Sequence, residues 1–266
     1  MFDRFDRTIT YLRISVTDRC NLRCTYCAGI HSFIPKKHSD MLTYEQIRDI
    51  VKQAAGLRIT KVRLTGGEPL VRKQIEILVR YISDIDEIKE LTMTTNGTLL
   101  AEKAEILKQN GLDRINISLD TLVPERYTQI TGCGDITDVF KGIEAAVAAG
   151  FTNTKINMVV IPDINTDEIE PMRRFCSEQG LDLQLIRQFS LADQKTDTVK
   201  YNRPPSCSEC NKIRLLADGT VKPCLHTNIE LKIDMDDIKG SLLKAVELKP
   251  EQGTVCENRG MQQIGG

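Results

Sequence analysis

The chain has 266 residues, of which 41% are hydrophobic and 27% are charged. These are values of a globular protein, and the length allows one barrel-sized domain or two smaller ones. The formal net charge of −1 excludes a global basic field that would attract nucleic acid or an anionic membrane surface. Trp is absent and aromatic residues make up only 5%, which argues against a stacking platform for single-stranded nucleic acid.

The sequence carries no sign of membrane insertion or export. No apolar run approaches the roughly 20 residues that span a bilayer. The N-terminal residues 1–7 are rich in charge and lack the apolar core of a signal peptide. We therefore expect a cytoplasmic protein that binds neither nucleic acid nor membranes.

Residues 9–190 alternate short β-rich runs with amphipathic helical patterns. The predicted strands cover residues 11–16, 61–65, 90–94, 114–119, 154–160 and 181–186. The predicted helices between them lie near residues 43–56, 71–84, 98–110, 135–149 and 166–179. Six β/α units predict a parallel α/β sheet, either a partial, open barrel or a doubly wound sheet, since a closed barrel needs eight strands. Both folds place their chemistry at the C-terminal ends of the strands.

The last third of the chain differs in character. Residues 191–206 are polar and contain Pro204 and Pro205, so we predict a linker. Beyond it, Asp218-Gly219 predicts a hairpin between residues 213–216 and 220–222, followed by a helix over 235–248. The chain thus divides into a partial barrel (1–190), a linker (191–206) and a C-terminal module (207–266). A module of this size often relies on a metal to supplement its core.

Six of the nine cysteines fall into two groups of three: Cys20, Cys24 and Cys27, and Cys207, Cys210 and Cys224. Without an export signal, such groups favour metal ligands over disulfides. Three thiolates suit a [4Fe-4S] cluster and leave one iron free for a small molecule. Structural zinc is the alternative, with His31 or His226 as a fourth ligand.

Three short segments after predicted strands could bind a ligand. Gly66-Gly67-Glu68-Pro69 lets the backbone approach a ligand closely, and Glu68 offers an acceptor for an ammonium group. The segments 94–97 and 118–120 place small hydroxyls at the same edge of the sheet. For these two segments, helix N-capping is the alternative.

Several cations interrupt the predicted strands, namely Arg13, Arg63 and Lys155. Lys212 and Arg214 follow the second cysteine group and would share one face of an extended strand. Because a buried charge is costly unless it is paired, this set favours a phosphate-rich ligand. Outward-facing positions or internal salt bridges are the alternative.

With these motifs assembled, the chain resembles the molybdenum-cofactor GTP 3′,8-cyclases, a family of radical S-adenosylmethionine (SAM) enzymes. The pattern C-x3-C-x-aromatic-C over residues 20–27 and the Gly66-Gly67-Glu68-Pro69 loop resemble those of the wider superfamily. The narrower resemblance covers nearly the whole chain. It lies in residues 12–21, 63–70, 116–120, 155–160, 207–210 with Cys224, and 263–266.

The resemblance implies two [4Fe-4S] clusters, one at each cysteine group, with SAM bound at the open iron of the first. A 5′-deoxyadenosyl radical would take a hydrogen atom from C3′ of GTP, and C3′ would then attack C8 of guanine. The implied catalytic residues are Cys20, Cys24, Cys27, Arg13 and Arg63. The implied cofactor contacts are Tyr26, Gly66, Gly67, Glu68 and Ser118. The implied GTP contacts are Arg13, Arg63, Thr94, Lys155, Lys212 and Arg214.

The resemblance also implies a partial (β/α)6 barrel, a reductant such as flavodoxin or ferredoxin, and a C-terminal tail that reaches the active site. It is compatible with a homodimer. The chain departs from the family at four positions, Gln184, Arg187, Phe189 and Lys212, which usually hold Arg, Glu, Met and Arg. The stretch 189–206 is also shorter than in the family.

Two alternatives stay open at this point. One is a two-cluster radical SAM enzyme that forms a C–C bond in, or dehydrogenates, another nucleotide or small molecule. The other is a non-catalytic iron–sulfur or zinc protein. The 66–69 loop argues against the second alternative, because an electron carrier needs no site for a methionine amine.

Overall fold

The structure is a computed structural model that describes residues 1–27, 35–195, 201 and 206–265. Its strands are β1 Tyr11–Ser15, β2 Lys61–Thr65, β3 Glu90–Thr95, β4 Arg114–Ser118, β5 Lys155–Val160, β6 Asp182–Arg187, β7 Lys212–Leu215, β8 Thr220–Lys222 and β9 Leu231–Lys232. Its helices are α1 Tyr44–Gly56, α2 Ile75–Ser83, α3 Ala104–Gln109, α4 Pro124–Thr131, α5 Ile136–Ala148, α6 Ile169–Glu178, α7 Ile238–Glu247 and α8 Met261–Ile264. Short 3-10 turns lie at His38–Asp40, Pro69–Val71 and Thr166–Glu168.

The nine strands of the described residues join one sheet in the order β6-β5-β4-β3-β2-β1-β7-β8-β9. The pairs from β6 to β7 are parallel, and the β7-β8 and β8-β9 pairs are antiparallel. Within the described residues β6 and β9 form the two edges, so the sheet is open. This confirms the predicted α/β fold with a largely parallel sheet, and each of the six predicted strands is present.

Strand β7 pairs directly with β1, with Tyr11 opposite Lys212 and Arg13 opposite Arg214. The C-terminal segment therefore extends the same sheet rather than packing as a separate layer. The division of the chain at the linker stays a prediction, since only residues 191–195, 201 and 206 of that linker are described. The predicted hairpin is present as β7 and β8.

Alternating residues divide each strand between two environments, because successive side chains point to opposite faces. Ile14 on β1, Ile117 on β4 and Met158 on β5 are fully buried in the hydrophobic core. The intervening residues face the interior of the partial barrel, and they include Arg13 and Arg63. This alternation explains why cations interrupt the apolar strands.

The helices match the predicted periodic segments except at α3, at α4 and at the four-residue α8, which was not predicted. The predicted helix over 98–110 begins only at Ala104, because residues 97–103 form turns whose amides bond to Gly97 and Leu100. Helix α4 was not predicted, although Pro124 stands at its N1 position and Tyr127 and Ile130 lie three residues apart on its buried side. Among the described residues, no helix has both the length and the apolar character needed to cross a membrane.

Candidate functional site

The first cysteine group lies on a loop directly after β1. Helix α4 holds this loop, since the amides of Arg23 and Thr25 donate to its last two carbonyls, at 2.9 Å each. The Cys20 thiol accepts from the Leu22 amide at 3.4 Å and from Asn96 Nδ2 at 3.9 Å. The missed helix α4 is therefore part of what positions the cysteines.

The three thiols are close enough to interact electrostatically. Burial raises the pKa of Cys24 to about 12, with further contributions from Asp120 and Cys20. Burial likewise raises the pKa of Cys27, and Cys24 and Cys20 add to the effect. A bound metal cation would stabilise the deprotonated thiolates and thereby oppose this rise in pKa. The irons of a cluster would supply that positive charge.

The described residues contain no group of three His, Cys, Asp or Glu side chains arranged to hold one metal ion. A zinc ion requires four donors within roughly 2.3 Å of one centre. The thiolates of a [4Fe-4S] cluster bind different irons and therefore stand further apart. The donor set of three cysteines on one loop fits a cluster. His31 lies outside the described residues.

The 66–69 loop packs against the segment that leads into the cysteines. The Gly67 amide donates to Thr17 O and the Glu68 amide to Arg19 O, both at 2.8 Å. A side chain at Gly66 would overlap the Thr17 carbonyl, and one at Gly67 would overlap the Arg19 carbonyl. The two glycines thus allow this loop and the cysteine loop to lie side by side.

Glu68 is 1% exposed and connects two loops of the site. Its Oε1 accepts from the Leu70 amide at 3.0 Å and from Thr95 Oγ1 at 2.7 Å. Its Oε2 accepts from the Asn96 amide at 2.7 Å. Burial raises the pKa of Glu68 to about 7, although these hydrogen bonds oppose the shift. A carboxylate has about four acceptor positions, so one remains for a ligand.

Tyr26 is held by Asp120, which lies in the predicted segment 118–120 but was not itself predicted as a site residue. Its hydroxyl donates to Asp120 Oδ2 at 2.6 Å, and the Val159 amide donates to Asp120 Oδ1 at 2.7 Å. Burial raises the pKa of Asp120 to about 6. Ser118 lines the same small cavity as Tyr26, Asp120 and Cys24. The signal that could have found Asp120 was its place at the end of β4, two residues after Ser118.

The predicted substrate cations form rows across the barrel interior. Arg13 on β1 lies opposite both Arg63 on β2 and Arg214 on β7. Two residues earlier along β1 and β7, Lys212 lies opposite Tyr11. Arg63 Nε donates to Thr92 Oγ1 at 3.0 Å, and Lys155 pairs with Asp182 at 3.2 Å. Two further ion pairs lie toward the amino-terminal ends of the strands, where Lys61 and Arg114 both contact Glu90.

Arg214 is buried and donates to the carbonyl of Gly265 at 2.6 Å. Gly265 lies against Thr65 and the Gly66 amide, where a side chain would overlap the Thr65 methyl group. The C-terminal segment thus enters the barrel interior. Gly266 lies outside the described residues.

The second cysteine group lies at the opposite end of the barrel from the first. Cys207 and Cys210 precede the start of β7, and Cys224 follows the end of the antiparallel β8. Cys20 follows the C-terminal end of β1, which runs parallel to β7. At about 3.3 Å per residue, roughly 20 Å of barrel interior separates the two groups.

Two cations that sequence reasoning missed support the second group. Arg7 donates to Cys207 O at 2.9 Å and also holds the carbonyls of Pro250 and Glu251. Lys249 is 1% exposed and donates to the carbonyls of Lys212 and Pro223, at 2.8 Å each. Burial acts to raise the pKa of Cys210, but the adjacent Lys249 and Lys212 lower it overall. Neither contact is visible in the sequence, because the partners are far apart in the chain.

His226, the alternative zinc ligand, packs its ring against Phe189 with a centroid separation of 5.4 Å. Phe189 is one of the four positions at which the sequence is expected to differ from the family it resembles. Gln184 lies opposite Asn157, and Arg187 opposite Val160, at the β6 edge of the sheet. Three of the four positions therefore lie on or just beyond β6, whereas Lys212 lies on β7. Arg187 and Phe189 help to line a cleft of about 1650 Å³, together with Cys20 and Cys27.

Comparisons with known proteins agree on one family. Residues 14–176 match the family model of the radical SAM superfamily. The chain is 38% identical to the GTP 3′,8-cyclase of Alkaliphilus oremlandii, and the alignment covers all of both chains. It is also 38% identical to the GTP 3′,8-cyclase of Moorella thermoacetica and 35% identical to that of Clostridium botulinum, again over the full length of both chains.

Solved structures with similar folds are more distant in sequence. Streptococcus suis SuiB bound to S-adenosylmethionine superposes with a TM-score of 0.69 at 18% identity, over 88% of this chain and 68% of SuiB. Native anSMEcpe with bound AdoMet gives a TM-score of 0.67 at 18% identity, over 91% of this chain and 81% of the anSMEcpe chain. These similarities support the fold of the chain.

Proposed function

Because the chain belongs to the radical SAM superfamily and, within it, to the GTP 3′,8-cyclase family, we propose that it is a GTP 3′,8-cyclase of molybdenum cofactor biosynthesis. The observation that carries the proposal is a barrel interior with a three-cysteine loop at one end and rows of cations along its length. When bound, a [4Fe-4S] cluster would supply the single electron that cleaves SAM into methionine and a 5′-deoxyadenosyl radical, and this radical would take a hydrogen atom from C3′ of GTP.

Cys20, Cys24 and Cys27 would hold this cluster, and the residues around them would keep it in place. The amide of Asn96 donates to Glu68 while its side chain reaches Cys20, so one residue ties the cysteine loop to the 66–69 loop. The remaining acceptor position of Glu68 would receive the ammonium group of SAM. Tyr26, fixed by Asp120, would cover the cofactor together with Ser118.

The cations of the interior would bind the triphosphate of GTP. Arg63, Arg13 and Arg214 occupy paired positions on the adjacent strands β2, β1 and β7. The like charges of neighbouring guanidinium groups repel one another. An anionic ligand removes this repulsion, and guanidinium groups bind phosphate oxygens through paired hydrogen bonds. Lys155 and Thr94 lie in the next row toward the cysteine loop. Lys212 lies one row below, and would give a point charge rather than a planar fork.

We also propose that Cys207, Cys210 and Cys224 hold a second [4Fe-4S] cluster, which would supply an open iron to bind the base of the nucleotide. The buried ammonium of Lys249 supports this assignment, because it needs a nearby negative charge that a thiolate-bound cluster would supply. The tail at Gly265 would close the interior from the side of β2. A flavodoxin or ferredoxin as electron donor, a cytoplasmic location and a homodimer complete the proposal.

The proposal is tested by incubating the anaerobically reconstituted protein with a reductant, SAM and GTP. The expected product is 3′,8-cyclo-7,8-dihydro-GTP, formed together with 5′-deoxyadenosine. ATP and UTP serve as control substrates and should give no cyclised product. Cleavage of SAM without any change in GTP would overturn the substrate and favour the alternative of a related enzyme acting on another nucleotide.

A further inference from the structure

Asn116 is a buried amide in the middle of the barrel interior. It is 1% exposed and lies on β4 between Ile115 and Ile117, which both pack into the hydrophobic core. Its side chain therefore points to the opposite face, into the barrel. Within the described residues, neither its Oδ1 nor its Nδ2 has a hydrogen-bond partner.

A second buried asparagine shows what a structural role looks like. Asn165 is 0% exposed, donates to Asp120 O at 2.7 Å and Val159 O at 2.8 Å, and accepts from the Ile161 amide at 2.7 Å. Buried side-chain polar atoms are nearly always paired, and an orphaned pair costs free energy. The side chain of Asn116 makes no hydrogen bond within the described residues. Its amide is therefore better suited to binding a ligand than to stabilising the fold.

The register of the sheet locates Asn116 between two parts of the proposed site. It lies opposite Thr94 and Lys155, and the Thr94 hydroxyl also has no hydrogen-bond partner among the described residues. Two residues toward the amino-terminal ends of the strands lies the row that contains Arg13 and Arg63. Two residues toward the cysteine loop, on β4 itself, lies Ser118. Same-face residues along a strand are about 7 Å apart. Asn116 is thus between the proposed triphosphate contacts and the proposed SAM contact.

The donor and acceptor atoms of the amide further limit which chemical group of a ligand can bind there. A phosphate or carboxylate offers only acceptors, so it would satisfy Nδ2 and leave Oδ1 unpaired. A hydroxyl both donates and accepts, and two neighbouring hydroxyls satisfy both atoms of one amide. A ribose is the part of a nucleotide that carries such a pair, next to its phosphates.

We propose that Asn116 binds the 2′- and 3′-hydroxyls of the nucleotide substrate and thereby orients C3′ toward SAM. This inference rests on the proposed function, since it requires a ribonucleotide in the interior. SAM carries the same pair of hydroxyls on its own ribose, so the test must distinguish the two sources. Asn116 would act as a binding and positioning residue, and Thr94 beside it would add a third polar contact.

The test compares Asn116→Leu with the matched control Asn165→Leu in the reconstituted protein. Leu has a similar shape to Asn and removes both polar atoms. Asn116→Leu should leave the melting temperature unchanged or raise it, whereas Asn165→Leu should lower it by several degrees, because it leaves three backbone groups unpaired. Equilibrium dissociation constants are then measured for GTP, for 2′,3′-dideoxy-GTP and for SAM.

The unchanged protein should prefer GTP over the dideoxy analogue by about tenfold or more, and Asn116→Leu should reduce this preference to less than about twofold. Its affinity for SAM should stay the same. If the variant keeps the full preference, or loses affinity for SAM instead, the inference is overturned while the proposed function stands. If the unchanged protein binds no GTP, the proposed function fails and the inference with it.

Discussion

Arg259 anchors the C-terminal segment upstream of the contact between Arg214 and Gly265, and removing its charge tests how the tail is held. Arg259 contacts Glu230 through two bonds of 2.9 Å and Asp218 through one of 3.0 Å. Its side chain is 13% exposed, and those of Asp218 and Glu230 are 9% and 21% exposed. This network connects the tail to the turn between β7 and β8 and to the segment before β9, six residues before Gly265 meets Thr65 and Gly66.

The substitution Arg259→Met keeps much of the side-chain volume and removes the charge. Breaking a buried ion pair by removing one partner costs about 3–5 kcal/mol. The two carboxylates keep part of their pairing, because Lys36 lies 3.4 Å from Asp218 and Lys222 lies 3.1 Å from Glu230. We therefore expect a loss of about 2–3 kcal/mol. For a chain of this size, that corresponds to a melting temperature lower by about 4–12 °C.

The assay is thermal unfolding of the reconstituted protein under anaerobic conditions. The matched control is Arg80→Met, which removes an ion pair with Asp84 whose side chains are 59% and 56% exposed. Exposed pairs contribute well under about 1 kcal/mol, so the control should melt near the unchanged protein. Equal melting temperatures for Arg259→Met and the unchanged protein would refute the anchoring role.

Four further predictions address the two cysteine groups, the 66–69 loop and the pH dependence of stability. Cys24→Ala should abolish SAM cleavage, measured as 5′-deoxyadenosine, and residual cleavage above background would contradict its assignment. Cys210→Ala should lower the iron content from about eight to about four per chain, and an unchanged content would remove the second cluster. Gly67→Ala should slow SAM cleavage by about 100-fold at constant iron content, because its Cβ would overlap the Arg19 carbonyl and move the loop. Burial alone would raise the pKa of Asp218, but bonds from Thr220 and the charge of Arg259 lower it to about 2 from 3.8. The ionised carboxylate therefore stabilises the fold above pH 3.8 and loses this effect as the pH falls toward 2. The stability difference from Asp218→Asn, about 1–2 kcal/mol after solvent screening, should vanish over that range in denaturant titrations, and a constant difference would contradict the assigned pKa.

The sequence predicts the strands well because each carries a short β-rich run between helical patterns. Helix α4 escapes this reading, since its eight residues follow β4 closely and only Pro124 marks its start. Residues 97–103 have a composition typical of a helix, but they form turns before α3. In these turns the carbonyls of Gly97 and Leu100 accept from amides three residues further along the chain. Local pattern therefore predicts which elements exist better than where each one begins.

The sequence likewise predicts some parts of the candidate site better than others. Motifs predict the cysteine loop and the 66–69 loop because each is contiguous in the chain, and the structure places them side by side. The bond between Tyr26 and Asp120 joins residues 94 positions apart, and the bond from Arg7 to Cys207 joins residues 200 apart. Such partners depend on the order of strands in the sheet, which the sequence pattern does not specify.

Hydrogen transfer from the nucleotide is the most direct test of the central claim. GTP that carries deuterium at C3′ is incubated with the reconstituted protein, SAM and reductant, and the 5′-deoxyadenosine is analysed by mass spectrometry. The account predicts that the deuterium appears in 5′-deoxyadenosine while the nucleotide is converted to the cyclised product. Unlabelled 5′-deoxyadenosine together with intact GTP would contradict it.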